Sequence, residues 1–321
     1  MAVRDALLAR GVRVHFLAQE RCFEDWSLDY LDHAPVIQTD DLRLAARDIG
    51  AVFWRQDYSC TDVMIHTAER DVGRFVAEQR ERHAYGCWAT LESSIPFINS
   101  LRAHRTAQSK SHQHYIAKRL GLRVPATYVG TSPSIAEDFA RGLWATGRRC
   151  CTKNIEATRF TLAGRPHARF TQVFEPHDID QLRTLHFCPM IFQEYIEKKW
   201  EYRVTVVGTQ VYACRIDSQA AGGDTAVDWR HYDLPRTPHR ACSLPSELTS
   251  TLVNLLRALG LCFGAFDLVH STDDEVVFLE VNSLGSWLWI EDLVGFPITE
   301  TLASLLMKMA SDNLSQVAQA S

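Results

Sequence analysis

Apolar positions along the chain switch between a helical and a strand period, and the switches mark out elements. MAVRDALLARG spaces its apolar residues as a short amphipathic helix closed by Gly11, and VRVHFLA (12–18) then alternates as a strand. AVFWR (51–55) reads as a further strand and the stretch from Val72 to about Leu91 as a long helix, so the first hundred residues predict a small α/β domain. Such a domain ordinarily opens on a strand, whereas here a helix comes first. A helix is expected from about Thr106 to Leu120, capped by Gly121, followed by strand VPATYV (124–129) and a helix begun at Thr131-Ser132-Pro133.

Beyond Leu143 the pattern becomes rich in strands. RCCTKNI (149–155), two arms around Ala163-Gly164-Arg165 within 157–174, and MIFQEYI (190–196) all read as strands, and 201–217 as a hairpin. From Pro245 to Leu259 an apolar stripe of Leu248, Leu252, Leu255, Leu256 and Leu259 predicts an amphipathic helix that Gly260 ends. A last hairpin is expected over 262–282, Pro297 opens a final helix, and the tail SDNLSQVAQAS should fray.

Composition narrows the class. At about 150 residues per domain, 321 residues suggest two domains or one larger α/β enzyme body, and 46% hydrophobic with 23% charged residues fits a soluble globular protein. A formal charge of −5 leaves no broad positive field for a polyanion, so nucleic acid is not an expected partner. The nine cysteines form no CxxC pair and read as reduced thiols, not as a zinc or disulfide framework. No run approaches the roughly 18 apolar residues of a membrane span, and the N-terminus lacks a secretory pattern, so no membrane role and a cytoplasmic location are expected.

Candidate chemistry sits in two hairpins. In CFGAFDLVHSTDDEVVFLEVN, acids interrupt otherwise apolar strands, and buried charge needs a partner. With Ser271 to Asp274 as the loop, Glu280 lies opposite Ala265, Asp267 lies diagonally beside it on the same face, and Asn282 joins them by the period of two. Two carboxylates and an amide oxygen form a hard-oxygen set suited to Mg²⁺; a solvated face with incidental acids is the plainer alternative. In the other hairpin, a three-residue loop Gly208-Thr209-Gln210 sets Arg203 against Arg215 and Glu201 against Asp217, either around an anion or as a structural ion-pair ladder. Lys153, in a central strand, is expected to reach a phosphate or an acid. Lys110 alone would be a surface lysine. His112 and His114, two apart on a helix, point to different faces and make no metal pair. Phosphate-loop, GxGxxG, HExxH and GxSxG motifs are absent.

Taken in order, Lys110, Lys153, QEYI (193–196), Glu201 with Arg203, Arg215, DWR (228–230), FGAFD (263–267) and LEVN (279–282) resemble an ATP-grasp ligase. EVNSLGSWLWIEDLVGFPIT (280–299) is most similar to the branch that holds RimK and the graspetide, or microviridin-type, synthetases, with Ser283 and Ser286 standing where Pro and Gln are usual. The resemblance implies an α/β (α+β) ATP-grasp fold of three subdomains, with ATP between two α+β lobes. The expected parts are an N-terminal piece over 1–100 that lacks the family's first strand, a central one over 101–190, a C-terminal one over 191–312, and a tail over 313–321.

By the same resemblance, Lys110 and Lys153 would bind the ATP phosphates. Gln193, Glu194, Tyr195 and Ile196 would form the adenine-facing hinge, and Glu201 would hold the ribose. Asp267, Glu280 and Asn282 would hold Mg²⁺, and Arg203, Arg215 and Arg230 would neutralise the γ-phosphate and an acyl-phosphate, with the turn at Ala163-Gly164 closing over the triphosphate. The implied activity is carboxylate–amine or carboxylate–hydroxyl ligation that crosslinks a ribosomally made precursor peptide with a leader, by a homodimer if the family's habit holds. The alternatives are a RimK-type ligase for small molecules or protein termini, and a nucleotide- or peptide-binding module without turnover.

Overall fold

In the computed structural model, the residues described are 1–18, 21–22, 25–55, 70–155, 159–162, 165–168, 171–220 and 237–320. The chain divides into two compact units. One comprises Met1–Arg105, Gly260–Phe263 and Pro297–Ser321. Its first helix, α1 (Ala2–Ala9), buries Val3 and Leu7 and packs against the C-terminal helix Ile298–Ala320, where Arg10 reaches Ser304 Oγ at 2.9 Å and pairs with Glu300. Strands β1 (Trp26–Leu31), β2 (Ala34–Thr39) and β3 (Arg43–Ala45) form an antiparallel meander. Asp32 and His33, at φ 48° and 66°, make the tight turn whose hand suits twisted strands. β4 (Val52–Phe53) and β5 (Phe97–Ile98) pair in parallel, with α2 (Arg70–Glu92) between them in sequence. Trp88 of α2 stands edge-on to Trp54 and Phe97 at 5.3 and 6.3 Å, placing an aromatic cluster at the centre of this unit.

Two expectations change here. Residues 12–18 form no strand: Phe16 is exposed, the Val12 N–H closes the end of α1 on the Leu7 carbonyl at 3.1 Å, and the Ala18 carbonyl accepts the Trp26 indole N–H at 2.8 Å. Residues 313–320, read as a tail, lie in the last helix, which runs to Ala320.

The second unit comprises Thr106–Leu259 and Gly264–Phe296. The stretch read as one helix is two, α3 (Leu101–Ala107) and α4 (Lys110–Arg119), because the Ser109 hydroxyl accepts the His112 N–H at 3.3 Å and starts a new helix. β6 (Thr127–Gly130), α5 (Pro133–Ala145), β7 (Arg149–Lys153), the ribbon β8 (Arg159–Leu162) with β9 (Arg165–Ala168), β10 (Gln172–Phe174), a 3-10 segment (Pro176–Phe187) and β11 (Met190–Tyr195) follow. Four of these strands form an antiparallel sheet in the order β10-β7-β11-β6. Its Cys150, Phe174 and Phe192 pack on Ala136, Ala140 and Leu143 of α5. That leaves Cys151, Lys153 and Gln193 on the other face by the period of two.

A second sheet runs β14-β13-β12-β15-β16, from β12 (Lys198–Val207), β13 (Gln210–Ile216), β14 (His239–Cys242), β15 (Phe263–Ser271) and β16 (Val276–Asn282). Helix α6 (Ser246–Ala258) buries Leu252, Leu255 and Leu256 against it. Gly264 permits that contact, since a Cβ there would lie 2.7 Å from Val281 Cγ2 and 2.9 Å from Leu256 Cδ1. α7 (Leu288–Val294) follows β16 and ends on Gly295 at φ 74°, the left-handed conformation that suits glycine at a helix end.

Both hairpin registers differ from expectation. β12 and β13 turn on two residues, Gly208 and Thr209, with Gly208 at φ 61°, so Arg203 faces Cys214, Arg215 faces Tyr202, and Glu201 faces Ile216. A slip of one residue turns every side chain of a strand to the other face. Between β15 and β16 a bulge places Asp267 directly opposite Glu280 and Asn282 opposite Ala265, with Leu279 as the extra residue.

Candidate active site

The bulged hairpin gathers Asp267, Glu280 and Asn282 on one sheet face, as the alternation implies, but with the two acids directly opposed. Like charges in that position repel, and two cations answer them. Arg203 donates from Nη1 to Asp267 Oδ1 at 2.9 Å, and the Lys110 ammonium stands 3.1 Å from Glu280 Oε2. Asn282 Oδ1 accepts the Leu284 N–H at 2.9 Å, which orients its amide. Among the described residues no three His, Cys, Asp or Glu side chains converge as a metal cluster, so a cation here would take two carboxylates and one amide oxygen.

Arg203 is held tightly. It is buried beside Gly285, and its Nη2 donates to the Ser286 carbonyl at 3.3 Å. A Cβ on Gly285 would overlap Ala265 and come 3.0 Å from Arg203 Nη2. Arg203 Nε and the hydroxyl of Thr205, on the same face, are buried without a hydrogen-bond partner among the described residues. Buried donors of this kind are costly unless an acceptor meets them, and a charged donor suits an anion. The donor set therefore fits both a divalent cation and a phosphate.

Lys153 stands on the β10-β7-β11-β6 sheet, where its ammonium donates to Gln193 Oε1 at 2.7 Å. Gln193 Nε2 donates to Thr127 Oγ1 at 3.0 Å, and Thr127 in turn to the Pro125 carbonyl at 2.9 Å, so the amide orientation is fixed. Lys110 also donates to the Ile155 carbonyl at 3.3 Å. The buried His114 senses Lys153, Glu280 and Lys110 together, and desolvation holds its imidazole below the usual value.

The four hinge residues diverge. Gln193 and Tyr195 share the face of Lys153 by alternation, and burial pushes the Tyr195 phenol up to about 12. Glu194 points the other way: its carboxylate accepts the Ala126 N–H at 3.1 Å and lies 3.5 Å from both Arg123 and Arg148. Ile196 packs with Val269 and Val277, on the sheet face that carries Asp267, and makes an apolar floor two residues from the acid pair. Glu201 shares that face too. Burial pushes its carboxyl up, while the paired Lys198 ammonium and the Ser218 hydroxyl at 3.2 Å work against that.

Arg215 is not brought to Arg203. The two-residue turn places it on the opposite face, with its guanidinium 3.7 Å over the Trp200 ring and Nε 2.6 Å from Asp217 Oδ1, a carboxylate that Arg240 also binds. Arg230 and the Ala163-Gly164 turn lie outside the described residues. Sequence reasoning missed Gln113, a buried amide on α4, and gave Thr205 and Gly285 no site role; the unpaired polar residue in VTVV and the glycine after EVN were the available signals.

No family model matches the chain, and no curated protein does. Solved structures do. The RiPP-associated ATP-grasp ligase of Chryseobacterium gregarium, in complex with ADP and a leader and core peptide, matches with a TM-score of 0.84 and 25% identity over 96% of this chain and 92% of that one. The macrocyclase MdnC of Microcystis aeruginosa MRC, bound with precursor peptide MdnA, matches at 0.83 and 25%, over 96% and 94%. The macrocyclase MdnB of the same organism matches in fold at 0.76 and 23%, over 95% and 94%. The fold is that of an ATP-grasp ligase. Within that class the chain stands with the peptide-maturing ligases.

Proposed function

We propose that the protein is an ATP- and Mg²⁺-dependent ligase that joins side-chain carboxylates to amines or hydroxyls within a ribosomally made precursor peptide. The opposed Asp267–Glu280 pair, answered by Arg203 and Lys110 and faced by Lys153, carries the reading. The apolar floor of Ile196, Val269 and Val277 suits the adenine face, with Gln193 and Tyr195 beside it. Glu201, on the same face as Arg203, would reach the ribose. Glu194 takes a structural part, and Arg215 is assigned no phosphate, since it lies on the far face.

Lys153 and Lys110 would bind the triphosphate, and Arg203 with Thr205 would donate to the transferred phosphoryl group. A substrate carboxylate oxygen attacks the γ-phosphorus, the bond to ADP breaks, and an acyl-phosphate forms. The attacking amine or hydroxyl then displaces inorganic phosphate at the acyl carbon and loses its proton. Mg²⁺ held by Asp267, Glu280 and Asn282 would supply further positive charge beside the phosphates. Positioning and charge do this chemistry, and no enzyme nucleophile is required.

Each of the two matches named above at 25% identity has a peptide in place, a leader and core peptide in one and precursor MdnA in the other, which supports a leader-bearing peptide as substrate here. Among the described residues no helix is long and apolar enough to cross a membrane, and a cytoplasmic setting belongs to this reading. A homodimer belongs to the same reading, and sedimentation would test it. The deciding experiment incubates the full chain with ATP, Mg²⁺ and the peptide encoded beside its gene. Loss of one water mass per link, matched by ADP, is expected. ADP release driven by free amino acids alone would favour a small-molecule ligase, and no ADP release at all would refute the ligase reading.

A further inference from the structure

Gln113 is buried on α4 and has no part in the chemistry above. Its side chain behaves as a strand partner to β16. Oε1 accepts the Val281 N–H at 2.8 Å, and Nε2 donates to the Val281 carbonyl at 2.9 Å and to the Ala107 carbonyl at 2.5 Å. One residue on, His114 Nε2 donates to the Leu279 carbonyl at 2.8 Å, and its ring stands edge-on to Phe278 with centroids 6.0 Å apart. β16 is the outer strand of its sheet; beyond the isolated bridge of Val277 with Arg123, where the Phe278 N–H reaches the Arg123 carbonyl at 2.9 Å, no described strand runs along its outward edge. Helix α4 takes that place at the two residues that flank Glu280.

Leu279 is the bulge residue, and the bulge sets Glu280 opposite Asp267. One residue of slip would turn Glu280 away from the acid face. Lys110, which pairs with Glu280, lies three and four residues before Gln113 and His114, and therefore on the same side of α4. We infer that Gln113 and His114 are positioning residues that lock β16 in its bulged register, so that helix α4 sets the affinity of the Asp267–Glu280–Asn282 site for a divalent cation. The inference rests on the reading of those three side chains as the cation's ligands. Groups that orient metal ligands commonly change affinity by about 10–100-fold.

The test measures Mn²⁺ binding to the full chain in the presence of ADP, by the electron spin resonance of free Mn²⁺, alongside thermal unfolding. Gln113→Met keeps the bulk of the side chain and removes three hydrogen bonds; affinity should fall about tenfold or more in a folded protein. His114→Phe should weaken binding, and His114→Gln, which still donates to Leu279, should restore it; this pair decides the matter if Gln113→Met does not fold. Glu280→Ala separates the two ideas. Parental affinity in both Gln113→Met and His114→Phe, with binding lost in Glu280→Ala, overturns the positioning role. Binding retained in Glu280→Ala overturns the ligand assignment beneath it.

Discussion

At the scale of single residues, the proposed site depends on one guanidinium held from two sides. Arg203 touches Asp267 on one side and the 282–286 turn on the other, and Gly285 leaves room for it. Gly285→Ala places a methyl group against Ala265 and the guanidinium, which should cost about 1–3 kcal/mol of stability as overpacking does. Turnover should fall further than that loss of stability explains, because Arg203 is displaced from its proposed place beside the phosphoryl group; urea unfolding and ADP release measured on the same sample check this. A second arginine system behaves differently. Burial raises the Asp217 carboxyl, but hydrogen bonds from Arg215 and Arg240 outweigh it and hold the group below the usual carboxylate value. The stability it gives is thus present above the unfolded-state pKa of about 4 and is lost as pH falls through the lower folded value. Asp217→Asn should therefore lower the urea midpoint at pH 7 and narrow its difference from the parent near pH 3, while metal binding stays intact on the opposite sheet face.

Among elements, strands and helices were legible where a period ran long and a cap closed it. The leucine stripe of α6 and the Ser132-Pro133 start of α5 are examples. Register was less legible, because it depends on turn length and on bulges, which leave little trace in composition. Gly208-Thr209 reads equally well as part of a two- or a three-residue turn, and that single count decides whether Arg215 joins Arg203. The bulge at Leu279 is set from outside the hairpin by Gln113 and His114, more than 160 residues earlier, so no local pattern announces it. Meander β1–β3 went unread although Trp26, Leu28 and Tyr30 of β1 alternate with Ser27 and Asp29, since β2 mixes polar and apolar residues on both faces and β3 is three residues long. The sheets also set cysteine reactivity. Burial pushes the Cys150 and Cys214 thiols up to about 12, whereas Cys188 is exposed after the 3-10 segment. Brief alkylation of the native protein at pH 7.5, an ordinary buffer pH at which a thiol of about 12 is almost wholly protonated, should mark Cys188 and spare Cys150 and Cys214, as peptide mass mapping would show. Equal labelling of all three would contradict the burial.

At the scale of the whole molecule, a charge of −5 conceals a local reversal, since Lys110, Lys153 and Arg203 gather around the only opposed acids described in β15 and β16. Every described residue of the proposed site belongs to the second unit, Thr106–Leu259 with Gly264–Phe296. The first unit supplies none of them, although the C-terminal helix returns to it after Pro297. Ligand that binds only the folded form stabilises what it touches, by about 2.7 kcal/mol at a hundred times its dissociation constant. A non-hydrolysable ATP analogue with Mg²⁺ should therefore slow amide hydrogen exchange in β7, β11, β12, β15 and β16. Exchange in the β1–β3 meander and in α1 should change far less, because local opening there does not release the ligand. Glu280→Ala should remove the protection in the second unit while leaving the exchange of the first as it was. Equal protection of β1–β3 and β15–β16 would mean that nucleotide binding couples the two units, and the site would then be larger than the residues assigned to it.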